Sequence, residues 1–266
     1  MIKHEINPGF DSFRSFILNI REVFSDSGTT IRNGRNEVKL LEQNGVRFCV
    51  KSFGNQNPLN RLVYSFIRPS KANRSFNYAL KIMDLGVKTP EPVAFVEYYD
   101  KNRVLQNSYY ISVYLEHDLS LKQAFDFELS DRLELLSGFA RFACNELHNN
   151  GILHKDLSAS NVLIKNNPEG IYEFYLVDLN RMRFRKNISF RKRMANLKRI
   201  NGTAICLGTI AHFYSLEFRG DPAWGALQMA KDRISWMKYR RTKKGLKTSL
   251  KAIKNIFGFK PAVQHN

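Results

Sequence analysis

The sequence contains few cysteines and no long apolar run, and both shortages narrow the class of protein. Cys49, Cys144 and Cys206 are odd in number, widely spaced and set among apolar neighbours, which favours buried reduced thiols over a disulfide framework or a zinc site. No stretch reaches the roughly 18 consecutive apolar residues of a membrane-spanning helix. Residues 1–10 lack the apolar core of a signal peptide. We therefore expect a globular, cytosolic protein.

Acidic residues are scarce in the C-terminal part of the chain. Residues 1–180 contain 21 Lys and Arg against 21 Asp and Glu, whereas residues 181–260 contain 21 basic residues and only Glu217, Asp221 and Asp232 as acids. The net charge of +18 at pH 7 therefore arises in that last segment. Such one-sided charge attracts a polyanion, which is either nucleic acid, an anionic lipid surface or a phosphorylated glycan.

Hydrophobic periodicity divides the chain into a strand-rich first part and a helix-rich second part. The pattern of the first part predicts an amphipathic helix over 10–24, a hairpin over 37–53 with an Asn-Gly turn, a helix over 70–85, and strands at 93–99 and 108–115. The pattern of the second part predicts helices over 121–127 and 130–148, strands at 161–165 and 173–178, and mainly helical structure afterwards.

One segment of the second part carries polar residues with a spacing typical of phosphoryl transfer. It contains His154-Lys155-Asp156, then Asn161, and after a predicted hairpin Asp178. This order resembles the kinase catalytic loop H-R-D-x-x-x-x-N followed by the metal-binding D-F-G turn. Phosphoryl transfer needs one carboxylate for the proton of the attacking hydroxyl, and an amide with a second carboxylate for Mg²⁺. We therefore predict that Asp156 is catalytic, that Asn161 and Asp178 bind the metal, and that His154 braces the turn.

The strand-rich part supplies the predicted contacts to the nucleotide. Lys51 lies on the second hairpin strand, from which an extended cation reaches the α- and β-phosphates, and we expect it to take part in catalysis. Gly34 and Asn36 belong to the preceding loop, at the position of a phosphate-covering lid, and Glu116 ends the first part. All four residues are predicted to bind the cofactor.

The sequence departs from the protein-kinase pattern at several places. The lid has one glycine instead of the three of G-x-G-x-x-G. The helix over 70–85 contains no glutamate to pair with Lys51, and we predict that Asn77 takes the facing position. Lys155 replaces the usual arginine, and Asp178 is followed by Leu-Asn instead of Phe-Gly. No Ala-Pro-Glu follows, which argues against an ordinary activation segment and peptide platform.

Taken together, the chain resembles the lipopolysaccharide core kinases, the Kdo and heptose kinase family, over residues 30–185. The segments that carry the resemblance are 50–53, 85–92, 154–156 and 176–181. The resemblance implies an α+β, bilobal, protein-kinase-like fold. Residues 1–116 would form an N-lobe with an antiparallel sheet and a helix, and residues 117–266 a mainly helical C-lobe.

The same resemblance implies a function. It implies ATP and Mg²⁺ as cofactors, and transfer of the γ-phosphate to a sugar hydroxyl of the lipid-linked core oligosaccharide, that is, lipid A with Kdo and heptose. It also implies a cytoplasmic protein at the inner face of the cytoplasmic membrane. The basic C-terminal segment fits peripheral contact with that anionic surface, and nucleic acid is the less favoured partner. Residues 234–257 mix apolar anchors with lysines, and such a helix lies either on the membrane or against the C-lobe.

Two other functions are compatible with the same residues. A kinase acting on a protein or on a soluble small molecule would keep Asp156, Asn161 and Asp178 but present another acceptor surface. A catalytically silent kinase-fold module, which binds RNA or membrane through its basic region, is favoured by the missing helix glutamate and by the single glycine of the lid.

Overall fold

The structure is a computed structural model that describes residues 1–34, 36–54 and 57–256. Its first part is built on an antiparallel sheet, and its second part is mainly helical. The predicted α+β fold class with two lobes is therefore confirmed.

Six strands form the sheet of the N-lobe, in the order β1-β5-β6-β4-β3-β2, and all neighbours are antiparallel. Their bounds are β1 Ile2–Ile6, β2 Thr29–Arg32, β3 Glu37–Gln43, β4 Val46–Ser52, β5 Pro92–Tyr99 and β6 Leu105–Val113. The predicted hairpin is confirmed as β3 and β4. Asn44 and Gly45 have φ angles of 51° and 76°, which is the backbone that a type I′ turn requires.

Helices cover both faces of this sheet. They are α1 Arg14–Leu18, α2 Ile20–Asp26, α3 Pro58–Phe66 and α4 Lys71–Asp84. Apolar residues of α1 and α2 pack on one face, and Phe76 of α4 packs on Phe95 at the other face. Strand β5 is therefore buried on both sides along nearly its whole length. The single helix predicted over 10–24 is wrong in detail, because the chain breaks at Asn19 into two short helices.

The C-lobe contains four α-helices and five short strands among its described residues. The helices are α5 Leu129–Arg141, α6 Phe190–Leu197, α7 Ala204–Glu217 and α8 Pro222–Ile256, and a π-helical stretch, Phe142–His148, continues α5. The strands are β7 Leu119–Ser120, β8 Ile152–His154, β9 Val162–Asn166, β10 Tyr172–Leu176 and β11 Met182–Phe184. They form the sheets β10-β9-β7 and β11-β8. The helix predicted over 121–127 is only a 3₁₀ turn, and the helix predicted over 130–148 begins at Leu129 and becomes π-helical from Phe142.

Two hydrogen bonds to the backbone of Leu176 join the N-lobe to the C-lobe. The Thr89 hydroxyl donates to the Leu176 carbonyl at 2.7 Å, and the Leu176 amide donates to the Lys88 carbonyl at 3.0 Å. The last sheet strand ends at Val113 and β7 begins at Leu119. We propose that the lobe boundary lies between these two residues, as predicted at residue 116.

The basic helix α8 has two halves with different surroundings. Its first half packs on α7 and α6, where Gln228 and Met229 are buried. Beyond it, Tyr239 and Leu246 are 60% and 61% exposed among lysines and arginines. Phe257, the last anchor of the predicted membrane stretch, lies outside the described residues.

Cys144 and Cys206 are buried free thiols, as predicted, whereas Cys49 is a free thiol that is only partly buried. Within the part of the chain that the structure describes, no helix has the length and apolar character required to cross a bilayer.

Candidate active site

A buried histidine, His154, joins the loop that carries Asp156 to the turn that carries Asp178. His154 ends β8, and its Nδ1 accepts a hydrogen bond from the Asp156 amide at 3.1 Å while Nε2 donates to the Val177 carbonyl at 3.2 Å. Burial lowers the pKa of His154, so the ring is neutral and satisfies both contacts. These contacts support the bracing role expected for this residue.

Asp156 lies in the loop that follows β8, and its carboxylate is between two arginines. Arg181 donates to Oδ2 at 3.2 Å, and Arg199 donates to Oδ1. The Asp156 carbonyl accepts a hydrogen bond of 2.9 Å from Asn161 Nδ2. This bond fixes the amide of Asn161, so that its oxygen is the atom available for a ligand.

Asp178 and Lys51 meet at the centre of the site. Asp178 has a left-handed backbone, with φ of 61°, and its Oδ1 accepts from Lys51 Nζ at 2.6 Å and from Asn180 Nδ2 at 2.5 Å. Burial by itself would raise the pKa of Asp178, but the charge and hydrogen bond of Lys51 outweigh burial and hold that pKa below its ordinary value. The carboxylate is therefore ionised at neutral pH.

A cavity of about 290 Å³ lies between the two lobes, and we refer to it as the nucleotide cavity because it is lined by Lys51, the residue predicted to contact the nucleotide phosphates. Lys51, Asn161 and Asp178 lie at its polar end. Its apolar walls come from strands of both lobes and include Ile31, Val38, Tyr110, Val113, Leu163 and Val177. Cys49 also lines it, and burial raises the pKa of this thiol to about 11, so the sulfur is neutral and adds to the apolar wall.

A second cavity, of about 650 Å³, opens on the other side of Asp178. Among the residues that the structure describes, Asp156 and Asp178 are its only acidic lining residues, and most of its other lining side chains are cations. These cations are Arg68, Lys71, Arg74, Lys155, Arg181, Arg183 and Arg199. Asp178 is the one described residue that lines both cavities. An acceptor in the second cavity would therefore lie next to the phosphates of a nucleotide in the first.

The structure brings together four of the predicted site residues, which are Lys51, Asp156, Asn161 and Asp178. Asn36 lines the second cavity, not the nucleotide cavity, and Gly34 is exposed in the lid loop without lining either.

Glu116 is also away from both cavities. Its side chain is 70% exposed and pairs with Arg47, so it does not line the nucleotide cavity.

The prediction for Asn77 was wrong. Asn77 is exposed and donates to the Asn73 carbonyl at 3.0 Å, whereas Ser75 lines the nucleotide cavity together with Lys51. Sequence reasoning also missed Arg68, Lys71 and Arg74 as cations of the second cavity. Their clustering around the start of α4 was the available signal.

The fold and this arrangement of acids, amide and lysine define a kinase-like phosphotransferase. The family model described as the lipopolysaccharide kinase (Kdo/WaaP) family matches residues 20–212. The chain therefore belongs to this family, whose members are kinases that phosphorylate sugar hydroxyls of lipopolysaccharide, as the sequence predicts.

Comparison with solved structures supports the fold. A structure described as "WaaP in complex with acyl carrier protein" aligns with a TM-score of 0.59 and 18% identity, covering 91% of this chain and 98% of the other. A comparison with curated proteins gives no significant match.

Proposed function

We propose that this kinase transfers the γ-phosphate of ATP, with Mg²⁺, to a hydroxyl of Kdo or heptose in the inner core of lipopolysaccharide. One observation carries the proposal. Asp178 lines both cavities, with Lys51 and Asn161 beside it in one and Asp156 beside it in the other. A donor phosphate and an acceptor hydroxyl can therefore meet at a single place.

The residues around Asp178 fit a hard divalent cation. The contacts of Asp178 with Lys51 and Asn180 use Oδ1, so Oδ2 is left for a metal, together with the oxygen of Asn161. Carboxylate and amide oxygens are the ligands that Mg²⁺ prefers. When bound, the ion neutralises charge on the transferring phosphoryl group. Lys51 would hold the α- and β-phosphates of the nucleotide.

Asp156 is placed to take the proton of the acceptor hydroxyl. Its carboxylate is partly exposed to the second cavity, and Arg181 and Arg199 fix its orientation. Both guanidinium groups also provide positive charge where the phosphoryl group passes, which favours the transition state. A cavity lined mainly by cations suits an acceptor that carries phosphates or carboxylates, and the inner core has both.

We further propose that the protein works as a peripheral protein at the inner face of the cytoplasmic membrane. The acceptor is lipid-linked, and the second half of α8 presents exposed Tyr239 and Leu246 among basic side chains. Each basic side chain close to an anionic surface contributes about 1 kcal/mol of attraction.

The experiment that tests the proposed function offers three acceptors to the purified protein with γ-labelled ATP and Mg²⁺. The acceptors are the lipid-linked core oligosaccharide, the soluble oligosaccharide released from it, and casein. We expect label in the glycolipid, strong loss with Asp156→Asn, and no change with Asp131→Asn, an exposed acid on α5. Label in casein alone would support a protein kinase, and no ATP turnover at all would support a silent module.

A further inference from the structure

A third cavity, of about 390 Å³, lies beside the catalytic loop and has an unusually cationic lining. It is bounded by β8, β11, the segment that follows β11, and α6. Six of its side chains are basic, and none of the acidic side chains within residues 1–34, 36–54 and 57–256 lines it. The six are Lys155, Arg183, Arg185, Lys192, Lys198 and Arg199. We refer to this cavity as the cationic pocket.

The charges of the cationic pocket are almost uncompensated. In the described part of the chain, Arg199 is the only one of the six that forms an ion pair, and its partner is Asp156. Desolvation, followed by the charges of Arg183 and Lys198, lowers the pKa of Lys155. Like charges held this close repel one another, and a bound anion would remove that repulsion. Arginine forks in particular match the geometry of phosphate and carboxylate.

The position of the pocket indicates which anion it takes. Lys155, Arg183 and Arg199 line both the cationic pocket and the second cavity described above, which we call the acceptor cavity. The pocket shares no lining residue with the nucleotide cavity. A molecule that occupies the acceptor cavity can therefore extend into the pocket, whereas the phosphates of the nucleotide lie on the other side of Asp178.

We propose that the cationic pocket binds an anionic group of the acceptor, a phosphate monoester or a sugar carboxylate, and so places the acceptor hydroxyl at Asp156. This subsite rests on the proposed function and adds the group by which the acceptor is recognised. Arg185, Lys192 and Lys198 line the pocket without lining the acceptor cavity, so they are specificity residues outside the catalytic centre.

The test compares two double variants with the same change in charge. Arg185→Gln/Lys192→Gln removes two cations of the pocket. Lys186→Gln/Arg191→Gln removes two exposed cations of the same segment that do not line it. We expect the pocket variant to raise the KM for the glycolipid by about 10- to 100-fold, since hydrogen bonds to charged groups are the strong ones. The KM for ATP should not change, kcat should change little, and the control should match wild type.

Two modified acceptors identify the anion. One glycolipid has its phosphates removed, and the other has its carboxylates esterified. On the acceptor that lacks the recognised group, wild type should show the raised KM and the pocket variant should no longer differ from it. Equal kinetics for the two double variants would overturn the subsite. So would a penalty seen only on anionic vesicles and not in detergent, because the pocket would then bind the membrane.

Failure of the subsite is distinct from failure of the proposed function. If wild type phosphorylates no glycolipid, the proposed function fails. If wild type is active and the pocket variant equals its control, only the subsite fails. Melting curves of both double variants establish that each is folded.

Discussion

Lys51 Nζ lies 2.6 Å from Asp178 Oδ1, although 127 positions separate the two residues in the chain. Lys51 lies on the N-lobe sheet and Asp178 on the turn after β10, so this ion pair links the two lobes across the cleft. Helix α4 has no glutamate, and the acid that holds the lysine is Asp178 itself. The absence of a glutamate from α4 therefore does not leave Lys51 without an acidic partner, because Asp178 positions it in the nucleotide cavity.

The first prediction concerns the acidic side of the pH dependence of kcat/KM. In Lys51→Met the burial of Asp178 loses its strongest opposing interaction, so the pKa of that carboxyl should rise. Protonated Asp178 does not bind a metal, and the acid limb of kcat/KM should move to higher pH. The rate itself should fall about 100- to 1,000-fold, because a charge that stabilises the transition state is lost. Lys101→Met, at an exposed turn, is the control. An unshifted acid limb would show that Lys51 does not set the ionisation of Asp178.

The second prediction separates catalysis from metal binding. Asp156→Asn should lower kcat by about 100- to 10,000-fold with nucleotide affinity nearly intact, because it removes a proton acceptor and no metal ligand. Asp178→Asn and Asn161→Ala should weaken Mg²⁺-dependent nucleotide binding. Calorimetric titration of each variant with a non-hydrolysable ATP analogue measures the difference. Comparable loss of affinity in all three would mean that the roles are misassigned.

The third prediction concerns stability in acid. His148 is buried, with Tyr214 Oη 2.6 Å from its Nδ1 and Asn196 Oδ1 3.1 Å from its Nε2. Burial lowers the pKa of His148 from 6.5 to about 4. The unfolded state therefore binds a proton more readily, and stability is lost as pH falls through this range.

His148→Gln should remove this part of the acid sensitivity, which is on the order of 3 kcal/mol because each pKa unit corresponds to roughly 1.4 kcal/mol. Urea unfolding above pH 6.5 and near pH 4 measures the change. We expect the variant to be less stable than wild type at the higher pH and to lose less on acidification. If the stabilities of the variant and wild type change in parallel with pH, the group whose protonation destabilises the fold is not His148. Buried His154 is then the next candidate.

The fourth prediction concerns the backbone ahead of the catalytic loop. Gly151 has φ of 73°, and an added Cβ would lie 2.0 Å from the Arg185 carbonyl oxygen. Gly151→Ala should therefore destabilise the protein by about 2 kcal/mol or more. Gly208, inside α7, has open space at its Cβ position, and Gly208→Ala should stabilise by about 0.5–1 kcal/mol. Thermal unfolding of the two variants gives the comparison, and equal melting temperatures would contradict it.

Local pattern was enough to predict the hairpin, α4 and the order of the polar residues of the site. It was not enough for β1, because Ile2–Ile6 is short and mostly polar and becomes a strand only through pairing with β5, some 90 positions away in the chain. The same limit applies to α3, whose position on the sheet depends on contacts distant in sequence.

The error at Asn77 has a geometric cause. Residues two positions apart on an α-helix point to nearly opposite sides, so a small error in helical phase exchanges the exposed Asn77 for Ser75. The second and third cavities also could not be predicted from local sequence pattern. The second cavity combines cations of α4 with cations of the C-lobe, and the third combines cations of β11, of α6 and of the segments next to them, so each cavity forms only when the chain has folded.

Tandem mass spectrometry of the purified core glycolipid, after incubation with this protein and Mg²⁺-ATP, measures the proposed reaction most directly. We expect the mass to increase by one phosphate, the fragments to place that phosphate on Kdo or heptose, and the product to be lost with Asp156→Asn. An active protein that leaves the glycolipid unchanged and phosphorylates a protein, or that places the added phosphate on lipid A instead of on the core sugars, would contradict the assignment.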